Sequence, residues 1–279
     1  MIPTLNPVTT GMNAPTEEFL DAASHAGFQA LDYTIMPFYR TYKEQSFTAA
    51  QEMLSSRNLV LGSFGLPVEF RKDEALFREE LAAFRDIAGF ASQMGVTRCC
   101  TWLYPATDEP VAEYTSRFIR RLRECAKIME ADGIRFGIEW VGPKTLRTLK
   151  HDFIHSLPGV LELIDAIDMP NVGVLFDSFH WFTSGATRND ITALKPEQVV
   201  LVHINDAPDK PADEQIDSQR LLPGEGIIDL AGMLASLKEI GYNSYLSVET
   251  FSDELPLLGS KEAAVRTKKA LDRVLGGLA

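Results

Sequence analysis

Val199-Val-Leu-Val-His203 is a run of four aliphatic residues that closes on an imidazole. Three more stretches in the second half of the chain share that form: Arg135-Phe-Gly-Ile-Glu139, Val172-Gly-Val-Leu-Phe-Asp177 and Tyr245-Leu-Ser-Val-Glu249. Each is short, apolar, and ends on a side chain that can bind a cation. A (β/α)₈ barrel aims the C-terminal end of every strand at one mouth, so ligands far apart in sequence meet there. Glu139, Asp177, His203 and Glu249 would form a hard, anionic set suited to one divalent ion: Mn, Mg, Co or Zn. Taken singly, each has a plainer reading. Glu139 and Glu249 are ordinary strand-end acids, Asp177 is an N-cap for the segment after it, and His203 is a hydrogen-bonded core histidine. Taken jointly, clustered acids at strand ends must be paired or bind a cation.

Across the whole chain, short β-type runs alternate with longer amphipathic segments. Strands are expected at 2–8, 30–34, 59–64, 98–103, 134–139, 172–177, 199–204 and 244–250. Helices are expected at 17–26, 47–56, 73–94, 111–131, 157–167, 230–240 and 261–278. Thr16 reads as the N-cap of the first helix and Gly27 as the residue that ends it. Leu76, Phe77, Leu81, Phe84, Ile87 and Ala88 mark the apolar face of the third. Eight β–α units predict a parallel sheet closed into a single (β/α)₈ TIM barrel, one domain over 1–279, in preference to an open doubly wound sheet. Residues 207–223 form the longest loop-like stretch. It follows the seventh strand on the ligand side, and loops of that length are often functional.

The bulk numbers narrow the function classes. The chain has 279 residues, 45% hydrophobic and 24% charged, an ordinary globular composition. Its formal net charge of −12 disfavours nucleic acid and anionic membrane as partners. Cys99, Cys100 and Cys125 are an odd number without metal-like spacing, which predicts a reduced, cytoplasmic setting. The N-terminus lacks a basic segment followed by an apolar one, and no run approaches ~18 apolar residues, so neither signal peptide nor membrane span is expected. The sequence leaves a homo-oligomer open.

Other residues stand near the four strand ends. His180, three after Asp177, is a candidate for binding a substrate oxygen. Asp206, three after His203, is a candidate for orienting that imidazole. Arg220 is a candidate clamp for a substrate oxygen. Pro223-Gly-Glu-Gly226 is a turn element with the wrong form for a nucleotide-binding loop. Trp102, Trp140 and Trp181 lie at or just beyond strand ends, where they serve equally as sugar-stacking walls or as barrel-top packing.

These residues resemble the xylose-isomerase-like barrel superfamily of sugar isomerases and epimerases. The likeness is carried by Gly137-Ile-Glu139, Asp177-Ser-Phe-His180, His203-Ile-Asn-Asp206, Pro223-Gly-Glu-Gly226 and Ser247-Val-Glu249. Within it, Ile138-Glu-Trp-Val-Gly142, Leu175-Phe-Asp-Ser-Phe-His180 and Leu234-Ala-Ser-Leu-Lys-Glu-Ile-Gly241 are most similar to inosose isomerases of inositol catabolism. Asn6-Pro-Val-Thr-Thr10 adds a weaker N-terminal echo. The resemblance implies that Glu139, Asp177, His203 and Glu249 bind one divalent metal. It implies that Glu139 and Glu249 also serve as an acid/base pair on a keto-polyol or ketose. Metal polarisation of the ketone would make the neighbouring C–H acidic enough to form an enediolate. Returning the proton to the second carbon is isomerisation; returning it to the other face of the first is epimerisation. His180 and Arg220 would hold substrate oxygens. Dehydratases and an endonuclease with three zinc ions share the barrel. The latter needs further ligands, and the chain has only five histidines. A non-catalytic polyol-binding protein is the remaining alternative.

Overall fold

The computed structural model describes residues 1–277. Eight strands form its centre: β1 (Ile2–Leu5), β2 (Ala30–Asp32), β3 (Val60–Gly65), β4 (Arg98–Trp102), β5 (Arg135–Glu139), β6 (Val172–Asp177), β7 (Val199–Ile204) and β8 (Tyr245–Val248). Each pairs in parallel with the next, and β8 pairs with β1, closing the barrel. The expected (β/α)₈ architecture is therefore the observed one.

The strand sequences explain the two-sided packing. Phe136 and Ile138 of β5, Val174 and Phe176 of β6, and Leu246 and Val248 of β8 join the large apolar core beneath the helices. Successive strand residues point to opposite faces. Glu139, Leu175, Asp177 and Glu249 thus turn to the barrel interior. Below the acids the interior is plugged by Cys100, Leu175, Val200 and Leu201, with Tyr245 packed against them. Gly137 has no side chain because a Cβ there would come within 2.8 Å of Cys100 Sγ. The site therefore stands on a solid floor.

Helices α1 (Thr16–Ala26), α2 (Met36–Glu44), α3 (Phe47–Ser55), α4 (Glu74–Gln93), α5 (Val111–Ala131), α6 (Leu157–Ile167), α7 (Ser178–Thr183), α8 (Arg188–Thr192), α9 (Leu230–Glu239) and α10 (Ser260–Gly276) surround the strands. In α5, Tyr114, Phe118, Leu122, Cys125, Ala126 and Met129 are buried, a stripe at helical spacing. None of the described helices is long and apolar enough to cross a membrane.

Several expected boundaries shift. The first strand stops at Leu5, because Asn6 caps a short 3-10 turn over Pro7–Thr9. Pro15, not Thr16, is the N-cap of α1; the Thr16 hydroxyl instead meets Tyr33 Oη at 3.1 Å. Gly27 does end that helix, in the left-handed conformation at φ 82°. Helix α2 was not anticipated; it is short, and its packed face is Phe38 with Tyr39 and Tyr42, which meet Phe90 of α4. A two-stranded antiparallel pair, Ala106–Thr107 with His151–Asp152, links the loops after β4 and β5 and was too short to read. The last helix reaches Gly276; its expected end at Leu278 lies outside the described residues.

Candidate metal centre and active site

The ends of β5, β6, β7 and β8 bring Glu139, Asp177, His203 and Glu249 together, with one ligand atom from each within 4.8 Å of the others. Register accounts for part of this: Asp177 lies directly across from His203. His203 Nδ1 lies 3.2 Å from Glu249 Oε2, 3.5 Å from Glu139 Oε1 and 4.0 Å from Asp177 Oδ2. Glu139, Asp177 and His203 are buried, and Glu249 nearly so.

Asp177 fulfils both of its readings at once. Its Oδ1 accepts from the backbone N–H groups of Phe179 at 2.7 Å and His180 at 2.9 Å, which caps α7. Its Oδ2 accepts from Asn205 Nδ2 at 2.8 Å and Arg220 Nη1 at 3.1 Å and faces the cluster. Burial opposes its ionisation, but the Arg220 and histidine charges win and hold its carboxyl below the ordinary value.

The partner of His203 was missed in the sequence. Its Nε2 meets Asp32 Oδ2 at 2.8 Å, so Nδ1 is the nitrogen turned to the acids. Asp32 is itself held by Ser63 Oγ at 2.7 Å and Asn6 Nδ2 at 2.8 Å. A carboxylate on the far nitrogen of an imidazole is the usual way to fix the ring of a metal-binding histidine. A signal existed: Ala30-Leu31-Asp32 also ends on an acid, but its apolar run is too short to attract notice.

Asp206, expected in that role, does something else. Its carboxylate accepts four backbone N–H groups, from Ala207, Gly224, Gly226 and Ile228, all at 2.9–3.0 Å. Its own backbone exchanges two 2.8 Å bonds with Leu221. Pro223-Gly-Glu-Gly226 is thus a cradle wrapped around one carboxylate. A Cβ on Gly226 would collide with the Ala207 carbonyl oxygen, which is why glycine stands there. This lock fixes the neighbouring Arg220. That guanidinium donates from Nη1 to Asp177 and Glu249 Oε2, both at 3.1 Å, and from Nη2 to Asp217 at 2.8 Å.

His180 is buried beside it, with Nε2 3.2 Å from Arg220 Nη2. Arginine only donates, so His180 Nε2 accepts and its proton sits on Nδ1, which has no protein partner. The tryptophans divide. Trp102 lines the cavity over the acids and is 46% exposed. Trp140 is fully buried and bonds the His180 carbonyl, and Trp181 is buried and bonds the Thr187 carbonyl. Both are packing residues behind the site, a correction to their expected place on its wall: each strand end has an outer as well as an inner face.

Two observations suit the cluster to a cation. Glu139 Oε1 and His203 Nδ1 are buried without a hydrogen-bond partner, and both are turned to the same point. In addition, burial alone would keep His203 neutral. The Glu249 charge, the hydrogen bond to Asp32 and the nearness of the Glu139 carboxylate overcome it and raise the imidazole well above its ordinary value. The set thus attracts a positive charge to its centre. A donor set of carboxylate oxygens and one imidazole nitrogen matches a divalent ion of the Mn, Mg, Co or Zn group.

Residues 20–274 match the model of the xylose isomerase-like TIM barrel family. The chain belongs to that family. Among its relatives, the inosose isomerase of Bacillus velezensis is 26% identical over 274 residues, 97% of this chain and 95% of that protein. A xylose isomerase domain protein from Alicyclobacillus acidocaldarius has a solved structure that matches at TM-score 0.92 and 32% identity, covering 99% of this chain and 98% of the other. The IOLI protein, crystallised with a bound zinc atom, matches at TM-score 0.84 and 24% identity, covering 100% and 99%. Like other xylose isomerase-like barrels, this one opens at the C-terminal ends of its strands. There a cavity of about 690 Å³ reaches down to Glu139, His203 and Glu249.

Proposed function

We propose that this chain is a divalent-metal-dependent isomerase or epimerase of keto-polyols or ketoses, with an inosose (2-keto-myo-inositol) as favoured substrate. The observation that carries the reading is the approach of two carboxylates, Glu139 and Glu249, to His203 Nδ1 at the floor of one open cavity. Glu139, Asp177, His203 Nδ1 and Glu249 would hold the ion. When bound, such an ion polarises a ketone and acidifies the adjacent C–H.

The chain's own groups supply the rest. Glu249 accepts the carbon-bound proton at a carboxylate oxygen, and Arg220 Nη1 at 3.1 Å holds that carboxylate in place. Glu139, whose Oε1 is 3.5 Å from the same His203 Nδ1, would be the second proton carrier. Burial raises its carboxyl above the ordinary value in the absence of a cation, and a bound divalent ion would lower it. His180 Nδ1–H has no protein partner, but neither it nor Arg220, whose guanidinium is engaged by Asp177, Asp217 and Glu249, is among the residues lining the cavity, so their role is to hold the carboxylates in place. The plugged barrel interior beneath closes the site on the side away from the cavity mouth.

The residues lining the cavity include no Lys or Arg. Arg220 is already engaged by Asp177, Asp217 and Glu249. A neutral polyol therefore fits better than a phosphorylated sugar or the keto acid of a dehydratase. A trinuclear nuclease is also poorly supported: one metal-type cluster occurs among the described residues, and His25, His151 and His155 lie outside it. Free, buried Cys99, Cys100 and Cys125 support a cytoplasmic setting.

The test is incubation of the Mn²⁺-loaded protein with inososes and ketohexoses in D₂O, beside Glu249→Gln. Deuterium at the neighbouring carbon marks isomerisation, and at the original carbon with inverted configuration, epimerisation. Glu249→Gln is expected to lose about 10²–10⁴-fold in kcat while keeping its melting temperature within a few degrees. A near-normal rate in that variant removes Glu249 from the chemistry.

A further inference from the structure

The cavity has two halves of unlike chemistry. Its floor is polar, with Asn6, Asp32, Glu139, His203 and Glu249. Its outer wall is mainly apolar, built by Met12, Met36, Leu66, Pro67, Trp102 and Phe251 at or just beyond the ends of five different strands. Met12 is 68% exposed, Trp102 46% and Met36 36%, so large apolar groups face solvent together at one rim. Scattered apolar side chains need no explanation, but a contiguous set around a binding cleft marks a contact surface. The indole is also held in place: the Arg71 guanidinium stacks 4.5 Å from its ring.

A bare six-carbon ketose does not match this wall. The hydroxyls on this side are few: those of Tyr33, Thr34 and Thr101, which already bond Thr16, Met36 N and Arg71 respectively. Hydroxyls placed against methionine, leucine and proline find no partner and lose free energy. Size agrees. Even allowing each of about twelve heavy atoms the ~30 Å³ share of a water molecule, such a ketose fills about half the space. The cavity measures about 690 Å³.

The geometry points to a substrate of two parts: a keto-polyol ring at the carboxylates, and an aryl or alkyl substituent against Met12, Met36 and Trp102. The inference rests on the isomerase reading for the ring. The substituent site can be tested without turnover.

Methyl and phenyl β-D-glucopyranoside, neither of them a ketone, are titrated calorimetrically into the Mn²⁺-loaded protein. The phenyl compound is expected to bind about tenfold tighter, with the preference falling below about threefold in Trp102→Ala and in Met36→Ser, from the loss of buried apolar area. Melting curves verify that both variants are folded. Equal affinities, no detectable binding of the phenyl compound at millimolar concentration, or a preference that survives both substitutions would overturn the inference. In parallel, kcat/KM is compared for 2-keto-myo-inositol and its benzyl ether, the ether being expected to be the better substrate. Ketone turnover without any preference sinks the substituent site and leaves the isomerase standing. A phenyl preference with no ketone turned over does the reverse.

Discussion

Asp32 and His203 show how much one contact can decide. The imidazole could turn either nitrogen to the acids, and the 2.8 Å bond from Nε2 to Asp32 selects Nδ1. Asp32→Asn is expected to weaken divalent-metal affinity by about 10–100-fold, the usual cost of losing such a partner. A competition titration with a chromophoric chelator reads this directly, and unchanged affinity would show that the ring is oriented by something else. The raised proton affinity of His203 adds a second expectation. A cation and a proton compete for Nδ1, so below the raised folded value metal binding should release close to one proton and tighten as pH rises towards that value. Calorimetry in buffers of different ionisation enthalpy counts that proton, and a count near zero would mean that His203 does not ligate.

At the scale of elements, helix α7 begins at Asp177, one of the residues proposed to hold the ion, and the segment after β7 folds around a single buried carboxylate. Neither arrangement stores its information in one residue. Asp206 needs the N–H groups of Gly224, Gly226 and Ile228, which arrive only once the loop has turned back. Gly226→Ala should force the cradle open against the Ala207 carbonyl and destabilise the fold by about 1–3 kcal/mol. It should also lower kcat through the loosened Arg220. Thermal melting and steady-state rates test both effects, and a variant with parental values for each would show that the cradle is dispensable. The same logic explains the missed elements. The strands at Ala106–Thr107 and His151–Asp152 are two residues each, too short to carry a period of their own, and are fixed by pairing with each other.

For the molecule as a whole, buried acids gathered in one place make stability depend on pH and on the cation. In the metal-free protein, His203 binds its proton more tightly folded than unfolded. That contribution is fully present below about pH 6.5 and is lost as pH rises through the raised folded value. Asp177 and Asp32 have depressed carboxyls. Their contribution is present above the ordinary aspartate value and is lost as pH falls through the folded one. Metal-free melting temperature should therefore fall on both the acid and the alkaline side. A cation held at 100 times its Kd should add about 2.7 kcal/mol. It should also flatten the alkaline limb, since it takes the place of the proton. Scanning calorimetry against pH, with and without Mn²⁺, tests both limbs; an alkaline limb that stays equally steep with metal would disconnect His203 from the ion.

The alternation of β and α segments, the eight strands, and the place of Glu139, Asp177, His203 and Glu249 at strand ends are local facts. Each depends on periodicity or on a residue's place at the end of its own run, so the linear chain determined them. Barrel closure, the choice of Nδ1 on His203, the Asp206 cradle and the withdrawal of Trp140 and Trp181 into the core are relations between distant segments. Asp32 and His203 are separated by 171 positions, and Asn6 and Glu249 by 243. Only the folded barrel decided those, because a hydrogen bond is selected by which partner lies within about 3 Å once the strands are in register.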